Sequence, residues 1–338
     1  MSLSEFETIS HYFDSPKLSF AREGITLGIG DDGAVLKPTA GPMSISMDLL
    51  VEGVHFPMDG EGFGIGYRAL AVNLSDLAAM GAQPLCFTLG LTLNRVEDGW
   101  LREFSAGLSQ LAQKFDCPLV GGDLTRTQPG SPTVIAIQAH GIHQNRSPVL
   151  RSTAEVGDDI YVSGTLGDGA AALVALGIKP HLDGLKGLSA QGLTDSQREN
   201  LAAAYYQPQP RVEFALAAGE YMNACIDISD GLAGDIAHIL RASKVGADVL
   251  LERLPYSEPV KNLLNPQARQ QAALYGGDDY ELCFTAAKQH ADALASLATE
   301  VNLPLTKVGE VTTGKSLRLL DSSGDIVNSV GEAYQHFN

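Results

Sequence analysis

Six segments of this 338-residue chain set an aspartate within two positions of glycine, serine or a second aspartate, most of them where an apolar segment gives way to a turn. The segments are residues 30–33 (GDDG), 46–48 (SMD), 74–76 (LSD), 121–123 (GGD), 226–231 (IDISDG) and 276–279 (GGDD). Singly, each is an ordinary turn composition. Jointly they alternate with short apolar runs of strand character and longer runs with helical spacing. That alternation predicts an α/β fold with mixed α+β character, whose acidic turns gather where strands end.

The opening residues MSLSEFETISHYF read as an amphipathic helix, with Ser4 and Glu7 spaced as a capping box. A loop follows at 28–33 and a strand at 44–48. Residues 64–80 read as a helix because Leu70, Leu74, Leu77 and Ala78 recur at helical spacing. A helix at 98–114 and a strand at 133–139 come next, and the stretch near 145–157, with its Pro, Ser and Gly, reads as a domain boundary. The second half predicts strands at 159–163, 224–228 and near 247–250, and helices after the turn at 167–169 and at 231–243. From 281 onward the pattern is strand, helix, strands. Residues 182–210 are a polar, proline-bearing excursion suited to a flap. The chain length suits two domains, 1–148 and 149–338.

The formal net charge of −17 excludes a nucleic-acid partner and an anionic membrane surface, which both need clustered Lys and Arg. It also sets a problem for any phosphate ligand, which so acidic a chain repels. Divalent cations on carboxylate oxygens resolve it, and magnesium is the expected ion. Cys86, Cys117, Cys225 and Cys283 lie far apart, with no metal-knuckle or disulfide spacing. The N-terminus is no signal peptide, and the longest apolar run, 170–178, is too short to span a bilayer. A cytoplasmic protein is expected.

Two motifs match nucleotide-binding patterns and fail on context. Residues 309–316, GEVTTGKS, fit the P-loop pattern, yet no helix of ordinary length fits after Lys315. They read as a hairpin turning at 312–315. Residues 28–33, GIGDDG, fit the dinucleotide fingerprint, but Pro38 and Pro42 forbid the helix it must open, and two aspartates would face the pyrophosphate.

The aspartates themselves are better candidates. Asp48, Asp123 and Asp227 each close a predicted strand. Asn73 and Asp76, three apart on an Ala- and Leu-rich helix, share a face, and a carboxylate in so apolar a helix needs a cation or donors nearby. Residues 164–169, GTLGDG, form a small-residue helix entry suited to a phosphate or to a tight turn.

At these segments the chain resembles the thiamine-monophosphate kinases, of the superfamily that includes aminoimidazole ribonucleotide synthetase and selenophosphate synthetase. The resemblance is carried by GIGDDG (28–33), ALAVNLSDLAAMG (69–81), GGDLTR (121–126), SGTLGD (163–168), IDISDGL (226–232) and GGDDYELCFT (276–285), in the family's order along nearly the whole chain. It implies a homodimer in which the N-terminal domain pairs its sheet with a second copy and binds ATP and magnesium. An α/β C-terminal domain then completes the substrate site. The implied reaction is direct in-line transfer from ATP to thiamine monophosphate, giving thiamine diphosphate and ADP.

By position, the family's magnesium ligands fall on Asp32, Ser46, Met47 (through its main chain), Asp48, Asp76, Asp123, Asp227 and Asp230. Nucleotide contacts fall on Gly122, Asp123, Arg151 and Ser229, and thiamine phosphate contacts on His55, Asp278 and Tyr334. Met47 stands where the family often has Thr, so a main-chain contact is expected there. Asp278 stands where Glu is usual, with Asp279 as an alternative. The acceptor is an ionised phosphate oxygen, so no general base is expected, and positioning with charge neutralisation carries the catalysis. Selenophosphate synthesis is disfavoured, because its reactive cysteine belongs near the N-terminus and the first here is Cys86. A non-catalytic nucleotide- or metal-binding regulator is the rival from another class.

Overall fold

The computed structural model describes residues 4–38, 40–144, 146–178, 185 and 193–327. They gather into two units, Met1–Leu77 with Ala82–Pro148, and Ala78–Gly81 with Val149–Asn338.

In the first unit Ser4 starts helix α1 (Glu5–Thr8) with both bonds of the capping box: its hydroxyl accepts the Glu7 N–H and the Glu7 carboxylate accepts its own. The chain winds on as one π-helical turn, Ile9–Phe13, which buries Tyr12 and Phe13. Strands β1 (Ile25–Leu27) and β2 (Val35–Leu36) pair antiparallel, so the GIGDDG segment is a hairpin loop and opens no helix.

The unit continues with β3 (Met43–Val51), α2 (Gly62–Ala79), β4 (Gln83–Leu93), α3 (Asp98–Lys114), β5 (Leu119–Arg126) and β6 (Val134–Ile142). The sheet order is β3-β6-β4-β5, antiparallel except for the β4–β5 pair. Helices α2 and α3 touch backbone to backbone: a Cβ on Gly66 would meet the Phe104 carbonyl at 2.1 Å, and one on Gly107 the Phe63 carbonyl at 2.1 Å. Glycine at both contacts lets Trp100 and Phe104 stack beside the crossing, with ring centroids 4.9 Å apart. β3 is an edge strand with an unusual outer face, since Met43, Ile45, Met47 and Leu49 are all exposed.

The second unit runs β7 (Asp159–Ser163), α4 (Asp168–Ala175), α5 (Asp195–Tyr206), α6 (Val212–Ala218), β8 (Ala224–Ile228), α7 (Leu232–Ser243), β9 (Gly246–Leu250), α8 (Glu258–Leu263), α9 (Pro266–Tyr275), β10 (Glu281–Ala286), α10 (Ala291–Glu300), β11 (Leu305–Thr312) and β12 (Leu317–Leu320). Its sheet has the order β12-β9-β11-β7-β10-β8. Strands β7, β8 and β10 are buried along their whole length, which explains why apolar and polar residues do not alternate along them. One core packs Ile160, Val162, Ile226 and Ile228 against Leu232, Ile236 and Ile239 of α7. A second packs Ala171 and Leu173 of α4 against Leu201 and Tyr205 of α5.

Three expectations need correction. The described part of the 182–210 excursion is mostly α5, started by a Thr194–Gln197 capping box. Residues 309–316 are not a hairpin: β11 and β12 do not pair, because β9 lies between them, antiparallel to one and parallel to the other. Lys315 leads into strand β12 and opens no helix, so the P-loop reading still fails. Finally, β3 and β5 run on past Asp48 and Asp123, which therefore lie within strands, and Asp227 is followed by one further strand residue. No helix among the described residues is long and apolar enough to cross a membrane.

Candidate functional site

In the first unit the acids meet between β3 and α2. Side chains alternate along a strand, so Ser46 and Asp48 share a face and Met47 points to the other. The Ser46 hydroxyl donates to Asp76 on α2. Asp48 lies close enough to Asp76 to feel its charge. Its carboxyl is pushed up to about 7, first by burial and then by Asp76, with Arg68 opposing. Two carboxylates that repel each other beside a hydroxyl form an oxygen-only donor set, which suits a hard cation.

Asn73 shares the helix but turns back on it, its amide donating to the Ala69 carbonyl at 3.1 Å. Its Oδ1 is buried without a hydrogen-bond partner among the described residues. Asp123 is exposed on β5 and accepts from the Thr125 hydroxyl at 2.7 Å. Gly122 before it has no room for a side chain, since a Cβ would meet the Leu89 carbonyl at 1.9 Å. Asp32 is exposed in the β1–β2 loop, its N–H held by the Asp31 carboxylate at 2.8 Å. His55 accepts the Val51 N–H at Nδ1, 3.0 Å away, so a neutral ring carries its proton on Nε2 and can donate from there. Among the described residues no three His, Cys, Asp or Glu side chains form a metal-holding group. The structure thus brings together Ser46, Asp48 and Asp76, while Asp32 and Asp123 stand in exposed positions of their own.

In the second unit Asp227 is buried near the end of β8, and Ser229 and Asp230 follow in the loop to α7. Asp235 holds that loop from inside the first turn of α7: its Oδ2 accepts the N–H groups of Ser229 and Asp230, each at 3.1 Å. Burial pushes Asp235 up to about 7 although these N–H groups pull it down. Asp278 joins the same loop, its N–H donating to the Ser229 carbonyl at 2.8 Å. Arg151 is exposed just after a β-bridge between Leu150 and Ala224 of β8. Tyr334 lies outside the described residues.

The start of α4 is not open to a phosphate. The Asp279 carboxylate accepts Gly167 N–H at 2.9 Å and Gly169 N–H at 3.1 Å, so the residues 164–169 form a turn capped from within the protein. The same bonds remove Asp279 as a substitute for Asp278. Its carboxylate is enclosed by this turn, although the residue as a whole is only half-buried, and enclosure raises it well above the usual carboxylate range. Cys86 is buried and pushed up to about 11, which leaves no reactive thiolate there.

Arg68, Asp235 and Glu281 were not singled out by sequence, and Asp279 only as an alternative to Asp278. Three carried a usable signal: Asp235 is an acid in a helix's first turn, and Asp279 and Glu281 alternate with Asp278 and Tyr280 on entry to a strand. The burial of Arg68 within α2 had no sequence signature.

The family of AIR synthase related proteins matches the chain twice, through its N-terminal domain at residues 30–143 and its C-terminal domain at residues 155–322. Thiamine-monophosphate kinase of Escherichia coli (strain K12) is 38% identical over 338 residues, covering 100% of this chain and 99% of that one. The crystal structure of thiamine-monophosphate kinase from Stenotrophomonas maltophilia K279a superposes with a TM-score of 0.80 at 40% identity, over 90% of this chain and 93% of that one. The structure of AaThiL complexed with AMPPCP and TMP superposes with a TM-score of 0.75 at 28% identity, over 91% and 92%.

Proposed function

This chain belongs to the AIR synthase related family, on its thiamine-monophosphate kinase branch, and from that premise we propose that it transfers the terminal phosphoryl group of ATP to thiamine monophosphate, giving thiamine diphosphate and ADP. The observation that carries the reading is the meeting of Ser46, Asp48 and Asp76, drawn from a strand and a helix into one oxygen-donor set.

We propose magnesium at this set. The fit rests on the donors: two mutually repelling carboxylates and a hydroxyl. Magnesium is commonly held by one or two carboxylates, with substrate phosphates and water completing the shell, and Asp48 and Asp76 offer such a pair. When bound it supplies positive charge against the phosphate oxygens. Asp32, Asp123 and the Met47 main chain are proposed as further ligands of the first unit, and Asp227 and Asp230 as those of the second. Gly122, Asp123, Arg151 and Ser229 are proposed to hold the nucleotide. Arg151 offers a planar cation to phosphate. His55 donates from Nε2 to the acceptor phosphate, and Asp278 and Tyr334 contact thiamine phosphate. No residue need take a proton, because the attacking oxygen is already ionised.

The division into residues 1–148 for ATP, magnesium and dimerisation and 149–338 for the remaining substrate contacts belongs to the same reading. A homodimer is supported by β3, whose exposed apolar face on a sheet edge needs a cover. Four free, buried cysteines suit the reducing cytoplasm, where we place the enzyme.

The test is turnover. Purified protein with Mg-ATP and thiamine monophosphate should form thiamine diphosphate, and chelation of the metal should stop it. A protein that binds ATP yet forms no thiamine diphosphate overturns the reading.

A further inference from the structure

The segment entering β10 alternates in what it touches. On one side Tyr280 donates its hydroxyl to Asp278 Oδ1 at 3.0 Å. On the other, Asp279 accepts the N–H groups of Gly167 and Gly169, and Glu281 accepts the Ser163 hydroxyl at 2.6 Å and Arg211 Nε at 2.7 Å. A second Arg211 nitrogen also reaches Glu281, making the pair bidentate. A Cβ on Gly164 would meet the Glu281 carboxylate at 2.0 Å, so Glu281 lies directly against the turn that follows β7. Neither Asp279 nor Glu281 belongs to the proposed ligand set.

The backbone between them is unusual. Asp278 has φ +64° and Tyr280 φ +50°, a region that side-chain-bearing residues seldom occupy and that persists only where the surroundings over-determine it. Main-chain bonds from Asp278 N to Ser229 O and from Tyr280 N to Ile228 O hold it from the β8 side, each at 2.8 Å. From the opposite side the hold is Asp279 and Glu281 gripping residues 163–169. That side is tight: a Cβ on Gly169 would meet the Asp278 carbonyl oxygen at 2.3 Å.

We infer that Asp279 and Glu281 are positioning residues, which fix Asp278 by tying its left-handed segment to the turn at 163–169 and so set the affinity for thiamine monophosphate. The inference rests on the kinase reading and on Asp278 as an acceptor contact. It explains why a segment with two strained residues needs two acids and an arginine beneath it, and why those acids are placed at every second position.

Two full-length variants test it. Asp279→Asn keeps the size of the side chain and replaces one acceptor oxygen by a donor facing N–H groups. Gly169→Ala removes no partner and pushes on Asp278 directly. With steady-state kinetics normalised to folded protein by near-UV circular dichroism, both should raise KM for thiamine monophosphate about tenfold and leave KM for ATP within about threefold, as expected for a small misplacement of one binding group. A purely structural role lowers the folded fraction and leaves both constants of the remainder unchanged. A thiamine monophosphate KM within twofold of wild type in folded Gly169→Ala overturns the inference, and that variant decides alone where Asp279→Asn does not fold. A joint and equal rise of both KM values also overturns it. A wild-type protein that makes no thiamine diphosphate sinks the kinase reading instead, an outcome distinct from a working wild type with unaffected variants.

Discussion

Asp48 in the first unit and Asp235 in the second are both pushed up to about 7, and burial is the main cause for each. Their surroundings differ in kind. Asp235 also feels an acid, Asp230, but receives the N–H groups of that residue and of Ser229 and holds a loop with them. Asp48 faces a second carboxylate, and its neighbour Asp76 already accepts the Ser46 hydroxyl. A raised carboxyl therefore does not by itself mark a ligand. The donors around it do: an acid met by N–H groups is part of the scaffold even beside another acid, and one set against another acid without them is short of positive charge. Asp279 and Glu281 fall on the scaffold side with Asp235, since glycine N–H groups supply one and Arg211 the other.

The sharpest way to break this contrast is to neutralise one acid of each kind. Asp48→Asn should lower kcat by about a thousandfold or more, in line with loss of one element of a charge-stabilising site, while leaving the metal-free melting temperature unchanged or raised. Asp123→Asn should behave likewise in turnover. Near-normal activity in either variant removes it from the ligand set.

The opposite pattern is expected for Glu281→Gln, which leaves Arg211 without its charged partner. Chemical denaturation should show a loss of about 3 kcal/mol, the usual cost of breaking a buried ion pair from one side. An unchanged midpoint would mean that this pair is not part of what holds the second unit.

A third prediction follows from protonation. The folded, metal-free protein holds a proton on Asp48 at pH values where an ordinary carboxylate has lost it, so this group's contribution to stability falls as pH rises from about 4 to about 7. Magnesium must displace that proton below about pH 7. Its affinity should weaken by up to about tenfold per pH unit on the acid side and level off above. Calorimetry at pH 6, 7 and 8 checks the slope, and a flat profile in this range excludes Asp48 as a ligand. The smallest effect concerns the outer face of β3: Ile45→Lys should shift the protein toward monomer in analytical ultracentrifugation, and an unaltered mass would place any dimer contact elsewhere.

Much of this was legible in the sequence where local chemistry decides. The capping box at Ser4, the helix over 98–114 and the strands over 159–163 and 224–228 appear as their spacing predicts. β4 was not, because Pro84 and Gly90 interrupt it and its flanks are buried on both sides in parts, which erases alternation. β11 and β12 were misread as partners since nothing in residues 305–320 reveals that β9, some sixty residues earlier, inserts between them. For the site, the sequence presented a set of equivalent aspartates. Asp278 and Asp279 are neighbours of one type, yet one sits at a left-handed backbone position beside Ser229 and the other caps α4. Their difference lies in contacts with residues about fifty and a hundred positions away.

The most direct test of the contrast is a calorimetric titration of magnesium into wild type, Asp48→Asn and Asp235→Asn, each saturated with a non-hydrolysable ATP analogue at pH 7.5. Asp48→Asn should lose magnesium binding stoichiometry, and folded Asp235→Asn should keep it in full. Equal binding by the two variants would contradict that contrast.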